Sequence, residues 1–402
     1  MADLHPFRAV RPSSEVVADV CCVPYDVVSM EEAHALAQGR SRSFLRVIRP
    51  EVDLPGTTDP HADAVYDKGA ENMRAFIDAS YTVREDEPSL YVYQVDTGDH
   101  SQTGVFGCVS VRDYAQGVIL KHEATRPDKV ADRARHIEAQ QAHAEPVMLT
   151  YRDRPVLNRL TTAVTETAPL FDFEDGTSRH RLWRITDPTP WVEAFADVAH
   201  LYVADGHHRC KAAHQVARGR QSNGTGTPEA AYFPAVLFPM GQMHIMAYHR
   251  VLHNLECSAA ELLDQFEAQY TLKRNVDDRT PRQKGHVCVY AEGAWHDLTL
   301  PSAQGPRTVD HLDAARLTDG VLRPLLNVTD PRRDDRIDYV GGIRGPEALS
   351  DRVDTGAAAV GLAMYPTAIE ELVTVSDEGD LMPPKSTWFE PKLISGMLVH
   401  TF

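Results

Sequence analysis

The sequence predicts an α+β fold with a mixed-sheet core and an additional α/β segment towards its C-terminal end. Short apolar, β-branched runs of strand length are interspersed with alanine-rich or amphipathic helical segments. Their order lacks the regular β-α-β alternation of a doubly wound parallel sheet, which favours α+β. The 402 residues, 43% hydrophobic and 25% charged, suffice for two or three cores.

The chain divides by pattern into three segments. Residues 1–155 form an N-terminal α/β segment, which includes the strand-like runs Ser43–Ile48 and Leu90–Val95. Residues 156–255 contain a predicted phosphate-binding turn, and residues 256–402 form a C-terminal α/β segment.

Further elements follow from local pattern in the second and third segments. The middle segment has a predicted helix at Trp191–Ala199 and a strand at Ala235–Phe238. After Cys257 we expect an amphipathic helix, a hairpin around Ala291–Ala294 and a second helix at Val309–Leu326.

Composition excludes several classes of function. The formal charge of −17, without a long basic run, argues against a nucleic-acid partner. No apolar run approaches the roughly 20 residues that span a bilayer, and the start lacks a signal-peptide pattern, so we expect no membrane partner and a cytoplasmic location. The six cysteines have no C-x-x-C spacing, which favours free thiols over a zinc site or disulfides.

The most informative stretch is a turn between a strand and a helix. Leu201–Ala204 is a short apolar run, Cys210–Arg218 is alanine-rich without a breaker, and Asp205 and Gly206 fall between them. A helix that begins at such a turn directs unpaired N–H groups outward, where a phosphate binds well.

Three further side chains at this turn favour a role in binding. Arg209 supplies a permanently charged fork, and His207 and His208 stand beside it. Cationic side chains do not stabilise a helix N-terminus, where anions are preferred. The alternative is that Asp205 only caps the helix and the histidines lie on a solvated surface.

A second constellation also follows a predicted strand. The apolar run Gly117–Leu120 precedes Glu123, and a helix is expected from about Pro127. Glu123 lies among cationic residues and is our candidate general base. A structural salt bridge from Glu123 to Arg126 or Arg133 explains the spacing equally well.

A third cluster lies near the C-terminus, in the proline-rich stretch Met382–Lys392. Prolines make this loop stiff, so a lysine on it, such as Lys385, is held in place to reach a phosphate. By itself the cluster is weak evidence, because such lysines also occur in ordinary exposed loops.

Four motifs together resemble the domain of unknown function 1015 family, over essentially the whole chain. They are Pro24-Tyr25-Asp26, Lys121-His122-Glu123-x-Thr125-Arg126, Ala204-Asp205-Gly206-His207-His208-Arg209 and Lys385-Ser386-Thr387-x-Phe389-x-Pro391-Lys392. The family name supplies no activity.

The Asp-Gly-His-His-Arg turn, about ten residues long, also resembles the ParB/sulfiredoxin superfamily. Sulfiredoxin chemistry requires a cysteine where His207 stands, and ParB-type switches carry a basic DNA-binding domain that this acidic chain lacks. The free serine kinases of the superfamily remain. That resemblance implies a nucleotide-binding element, with Glu123 in the position of the base.

These observations predict a small-molecule kinase that transfers a phosphoryl group from ATP or ADP to a hydroxyl, with free L-serine as the best acceptor. Glu123 would accept the proton, and Asp205 would orient the substrate or hold Mg²⁺. The predicted phosphate and charge contacts are Arg126, Arg133, Gly206, His207, His208, Arg209 and Lys385. Asp26 and Arg46 are the candidates for binding the acceptor.

Two other classes of function stay open. A metal-dependent hydrolase could use imidazole and carboxylate ligands, which suit zinc or manganese, namely His122, Glu123, Asp205, His207 and His208. A non-catalytic nucleotide-binding regulator would bind nucleotide without turnover. The predicted partners are a nucleotide and a small hydroxylated metabolite, and a homodimer is one candidate assembly.

Overall fold

The computed structural model describes residues 1–402, which form two compact units. Unit 1 consists of residues 1–121, 125–243 and 391–402. Unit 2 consists of residues 122–124 and 244–390. Each unit is therefore assembled from discontinuous parts of the chain.

Both units contain helices and strands. The helices are α1 (Val17–Val20), α2 (Met30–Ala37), α3 (Leu45–Ile48), α4 (Asp63–Asp78), α5 (Val111–Gln116), α6 (Pro127–Gln140), α7 (Pro155–Thr165), α8 (Thr189–Ala196), α9 (His207–Ser222), α10 (Ala259–Gln269), α11 (Asp313–Leu317), α12 (Arg323–Leu326), α13 (Glu347–Asp354) and α14 (Ile369–Asp377). The strands are β1 (Leu4–His5), β2 (Val10–Pro12), β3 (Thr82–Arg84), β4 (Leu90–Asp96), β5 (Ser101–Ser110), β6 (Ile119–Leu120), β7 (Ala142–His143), β8 (Val147–Tyr151), β9 (Phe171–Glu174), β10 (Arg179–Ile185), β11 (Leu201–Asp205), β12 (Tyr232–Pro239), β13 (His244–Met246), β14 (Tyr248–Leu252), β15 (Leu272–Lys273), β16 (His286–Ala291), β17 (Ala294–Thr299), β18 (Ile337–Gly341), β19 (Val360–Met364), β20 (Trp388–Glu390) and β21 (His400–Thr401). None of the helices combines the length and the apolar character needed to cross a membrane.

Unit 1 is built on a nine-stranded mixed sheet, which confirms the predicted α+β class with a mixed-sheet core. The strand order is β6-β11-β8-β12-β5-β4-β10-β9, and β1 also pairs with β5. β6 with β11 and β8 with β12 are parallel pairs, whereas the other pairs are antiparallel. The central strands β8 and β12 are buried along almost their whole length and are largely apolar, as expected for strands covered on both faces.

Several local predictions in unit 1 are confirmed. The runs Leu90–Val95 and Ala235–Phe238 lie within β4 and β12, and Leu201–Ala204 lies within β11. The predicted helix Trp191–Ala199 corresponds to α8, whose ends are shifted by two or three residues towards the N-terminus. The apolar residues of these segments are continuous or regularly spaced, so the local sequence is enough to predict them.

The strand predicted at Ser43–Ile48 is wrong, because the last four of these residues form the short helix α3. The Arg49 N–H group donates to the Leu45 carbonyl at 2.7 Å and closes the helical turn. Three of the four α3 side chains are buried, so they pack on more than one side of the helix. A short apolar run fits a buried helical turn as well as a strand, and tertiary packing decides between them.

Unit 2 is built on a six-stranded antiparallel sheet in the order β15-β17-β16-β19-β14-β18. The predicted hairpin is confirmed, with Ala291 of β16 opposite Ala294 of β17. The predicted amphipathic helix after Cys257 is α10, which begins at a capping box formed by Ser258 and Glu261.

The continuous helix predicted over Val309–Leu326 is wrong. Leu312 has an extended ψ of 139° and separates a 3-10 turn from α11, and a π-helical turn at Thr318–Leu322 separates α11 from α12. Pro324 in α12 has no N–H group to donate to the preceding turn. The Gly320 carbonyl accepts from the Tyr270 hydroxyl at 2.6 Å.

Candidate functional site

The turn between β11 and α9 has a backbone that only glycine adopts without strain. Gly206 has a φ of +104°, and a Cβ atom there would lie 2.9 Å from Val147 Cγ1. No side chain caps the first turn of α9. The N-terminus of this 16-residue helix is the positive end of the helix dipole, which favours an anion.

Arg209 reaches back from the first turn of α9. Its side chain is buried, donates to Asp205 Oδ2 at 3.0 Å and donates to the Pro146 carbonyl. Lys392 Nζ lies 3.7 Å from the other Asp205 oxygen. Burial by itself would lower the pKa of Arg209, but Asp205 and Glu145 raise it, so the guanidinium stays charged.

A cavity of about 460 Å³, open to solvent, lies beside this turn within unit 1. Its polar lining includes two arginines, a carboxyl group, an amide and two imidazoles: Arg133, Arg209, Glu145, Gln140, His136 and His143. Apolar side chains complete the wall: Ile48, Ile137, Ala144, Val147, Phe233 and Pro234. A pocket in which several polar groups converge among apolar side chains is typical of a small-molecule site.

Arg133 supplies the second guanidinium of the cavity from α6. Its Nε and a terminal nitrogen donate to Asp132 Oδ2 at 3.0 and 2.7 Å. The guanidinium carbon lies 4.1 Å from the centre of the Tyr25 ring. The pKa of Asp132 is about 2, because Arg133 outweighs the opposing effect of burial.

Glu145 is the carboxyl group of the cavity and is half-buried. It accepts hydrogen bonds from the Tyr25 N–H group and from the Ser395 hydroxyl, both at 3.2 Å. Burial raises its pKa, although Arg209 and Arg133 oppose the shift. A carboxyl group with a raised pKa beside two arginines can exchange a proton with a bound hydroxyl.

The two histidines of the cavity are neutral near pH 7. Burial, with a smaller effect of Arg133, lowers the pKa of His136 to about 3. Burial, His400 and Arg220 lower the pKa of His143 well below its usual value. The positive charge of the cavity therefore comes from its arginines.

The structure brings several of the predicted site residues together in unit 1. Arg133 and Arg209 line the same cavity. Asp26 acts electrostatically on Glu145 and Arg209, and Asp205 pairs with Arg209.

Other predicted residues of unit 1 have partners of their own. Arg46 binds Asp53 and donates to the Ala37 carbonyl at 2.9 Å. The exposed Arg126 guanidinium pairs with Asp128 at 2.7 Å. His208 Nε2 accepts the Arg126 main-chain N–H at 3.1 Å, and burial lowers the pKa of His207 to about 3.

The two remaining predicted residues, Glu123 and Lys385, belong to unit 2. The preceding residue, His122, has Nε2 3.3 Å from the Thr387 hydroxyl, and its carbonyl accepts the Met382 N–H at 2.8 Å. The Lys385 ammonium lies 5.2 Å from the centre of the Tyr248 ring.

Sequence reasoning missed the carboxyl group of the cavity. Glu145 and Pro146 immediately precede β8, whereas Glu123 and Asp205 follow apolar runs predicted to be strands. A carboxyl group directly before a strand is the local signal that could have identified Glu145. Its partner Ser395, 250 positions later, gives no local signal at all.

No group of three or more His, Cys, Asp or Glu side chains is placed to hold a metal ion. Of the five ligands considered for a hydrolase, the three in unit 1, Asp205, His207 and His208, therefore do not form a ready-made zinc or manganese centre. Magnesium carried with a nucleotide needs only one or two carboxylates in addition to phosphates. Asp205 could serve in that way, although Arg209 and Lys392 already lie beside it.

The chain was compared with known proteins. A family model described as "Protein of unknown function (DUF1015)" matches residues 4–315, about three quarters of the chain. No curated protein matches. The similar solved structures include a conserved hypothetical protein from Pyrococcus furiosus, with 11% identity, a TM-score of 0.35 and coverage of 72% of this chain and 94% of that one.

Two further solved structures have comparable likeness. A free serine kinase in complex with AMP has 11% identity and a TM-score of 0.37, covering 71% of this chain and 86% of that one. SbnI with a C-terminal truncation, from Staphylococcus aureus, has 13% identity and a TM-score of 0.38, covering 72% of this chain and 85% of that one.

The Gly206 turn can be tested by substitution. Gly206→Ala should lower the free energy of unfolding by about 1–3 kcal/mol, because alanine is strained at this φ and meets Val147. Gly219→Ala, in the same helix with open space around it, should be stabilising by about 0.5–1 kcal/mol. Urea denaturation measures both, and equal stabilities would contradict the proposed constraint.

His136 makes stability depend on pH. In the unfolded chain a histidine takes up a proton below about pH 6.5, whereas native His136 stays neutral down to about pH 3. The free energy of unfolding should therefore fall as the pH is lowered from 6.5 towards 3, by up to about 1.4 kcal/mol per pH unit from this residue. His136→Gln should reduce that slope, measured by urea denaturation at several pH values. The exposed control His311→Gln should leave it unchanged.

Proposed function

This chain belongs to the DUF1015 family, and we propose that it is a small-molecule kinase that transfers a phosphoryl group from ATP or ADP to a metabolite hydroxyl. The observation that carries the proposal is the unit 1 cavity, where Arg133, Arg209 and Glu145 converge. Phosphoryl transfer depends chiefly on positioning and on neutralising charge, which arginines provide. The carboxyl group supplies a site for the hydroxyl proton.

The donor phosphates are assigned to the N-terminus of α9. Its uncapped N–H groups and the buried Arg209 lie at the same turn. Arg209 uses two of its five N–H groups on Asp205 and Pro146, so N–H groups are left for phosphate oxygens. Arg133 lines the same cavity and is the second cation for the charge that develops during transfer.

The acceptor hydroxyl loses its proton to a carboxylate as its oxygen bonds to phosphorus. At the same time the bond between that phosphorus and the bridging oxygen of the nucleotide breaks, and the electron pair leaves with the shortened nucleotide. Two carboxylates are candidates for this base. Glu145 lines the cavity, and Glu123 is the candidate from the sequence. Magnesium, bound with the nucleotide, would add charge neutralisation, with Asp205 as its candidate ligand.

Free L-serine is the proposed acceptor. Recognition of an amino acid requires groups for both its carboxylate and its ammonium. Asp26, which acts electrostatically on Glu145 and Arg209, is the candidate for the ammonium. The assay should compare L-serine with D-serine, homoserine, sugars and polyols, with detection of the phosphorylated product by mass spectrometry. Nucleotide binding without any product would instead support the non-catalytic regulator.

Arg209→Lys should weaken nucleotide binding by about 1.5–3 kcal/mol, because lysine keeps the charge but loses the planar fork. Isothermal titration calorimetry with ATP and ADP measures the affinity. Lys129→Ala, an exposed lysine of α6, is the matched control and should bind as the wild type does. Unchanged affinity in Arg209→Lys for every nucleotide that the wild type binds would remove this turn as the donor site.

Replacing each carboxylate by its amide identifies the base. Glu145→Gln should keep nucleotide affinity and lose about 10²–10⁴-fold in turnover, since only the proton acceptor is removed. Glu123→Gln is the paired variant, and the same loss there would assign the role to Glu123. If both variants keep full turnover, neither carboxylate is the base. Thermal unfolding of each variant shows whether a loss of turnover reflects a loss of structure.

A further inference from the structure

Unit 2 contains a second polar pocket, built around a buried arginine. The pocket is partly open to solvent, and its charged lining residues are Arg250, Lys284, Asp313 and Glu371. Arg250 lies in the middle of β14, between β18 and β19, and only 5% of the residue is exposed. Nothing in the proposed kinase function uses this pocket.

The Arg250 guanidinium has no carboxylate partner. It donates to the main-chain carbonyls of Tyr248 and, at 3.3 Å, of Lys385. Its other close neighbour is the Tyr339 ring, whose centre lies 5.6 Å from the guanidinium carbon. Burial lowers the pKa of Arg250, and only the Tyr339 and Tyr248 side chains oppose that effect. A buried charge without a counter-charge is strongly unfavourable.

The other charges of the pocket are balanced within the pocket wall or beside it. Lys284 pairs with Glu371, which also accepts the Ala368 N–H at 3.0 Å. Asp313 accepts the Gly285 N–H at 2.7 Å and pairs with Arg316 at 3.0 Å. One positive charge, that of Arg250, is therefore left over.

We infer that the Arg250 pocket binds a small metabolite through an oxyanion, a carboxylate or a phosphate group. The guanidinium uses two of its five N–H groups on carbonyls and has the planar geometry that pairs with such an anion. Lys284 adds a second cation to the pocket wall. The Tyr248 and Tyr365 rings and the Met364 side chain line the same pocket and would contact the uncharged part of the metabolite.

The test uses the full-length protein with inorganic phosphate and with acetate as probes, against chloride at the same ionic strength. At least one probe should raise the melting temperature of the wild type, because a ligand that binds only the native state stabilises it. A response to phosphate alone would assign a phosphate group, and a response to acetate alone a carboxylate. If neither probe stabilises the wild type more than chloride does, the inference is wrong.

Arg250→Met should abolish the part of the response that remains in Arg209→Lys and leave the protein folded, since methionine replaces an uncompensated buried charge with an apolar side chain. Arg250→Lys, which keeps the charge but not the fork, should weaken anion binding by at least about tenfold. If Arg250→Met does not fold, Arg250→Lys carries the test. The matched control is Arg352→Met in the same unit, where Arg352 lies 3.4 Å from Asp338, and it should respond as the wild type does.

Comparison of Arg209→Lys with the Arg250 variants distinguishes the proposed kinase site from the Arg250 pocket. Arg209→Lys should leave the Arg250-dependent response intact, and Arg250→Met should leave nucleotide affinity unchanged. Anion stabilisation that is as large in both Arg250 variants as in the wild type would overturn the inference without affecting the proposed kinase function, whose α9 turn can itself bind phosphate. Loss of nucleotide binding in Arg209→Lys with a normal anion response would support the kinase site independently.

Discussion

The ion pair between Arg209 and Asp205 is the interaction on which the unit 1 cavity depends. A buried guanidinium is stable only where acceptors surround it, and here Asp205 and the Pro146 carbonyl provide them. Because Pro146 immediately precedes β8, these contacts fix the start of α9 against the start of β8. Glu145, next to Pro146, is placed at the cavity by the same contacts.

The last twelve residues of the chain complete this arrangement. Lys392 approaches Asp205, and the Ser395 hydroxyl donates to Glu145. Further along, β21 pairs with β7, which contains the cavity residue His143. The charged groups of the cavity are therefore held by a segment that begins 169 positions after the end of α9, at Pro391 against Ser222. Their geometry is a property of the assembled unit.

Charge balance distinguishes the two units. In unit 1 the two buried arginines of the cavity each have a carboxylate, Asp132 for Arg133 and Asp205 for Arg209. In unit 2 Arg250 is equally buried and has only carbonyl and aromatic neighbours. Pairing lowers the cost of burying a charge but also occupies donors, so Arg209 has fewer N–H groups for a ligand than its bare side chain suggests. An anion therefore stabilises the unpaired Arg250 more than it stabilises an arginine that already has a carboxylate partner.

The sequence by itself determined the features that depend on neighbours along the chain. The β11 strand, the glycine turn and α9 follow from an apolar run, a residue that accepts positive φ and an alanine-rich helix. The mixed sheet, α6, α10 and the hairpin of β16 and β17 were predicted for similar local reasons. Only the tertiary structure decided that Leu45–Ile48 is helical and that the helix expected before Leu326 is interrupted, because burial and packing override weak local preference. Glu145 and Ser395 meet in the same way: a hydrogen bond between residues 250 positions apart depends on how the sheet brings the segments together, and no local pattern records it.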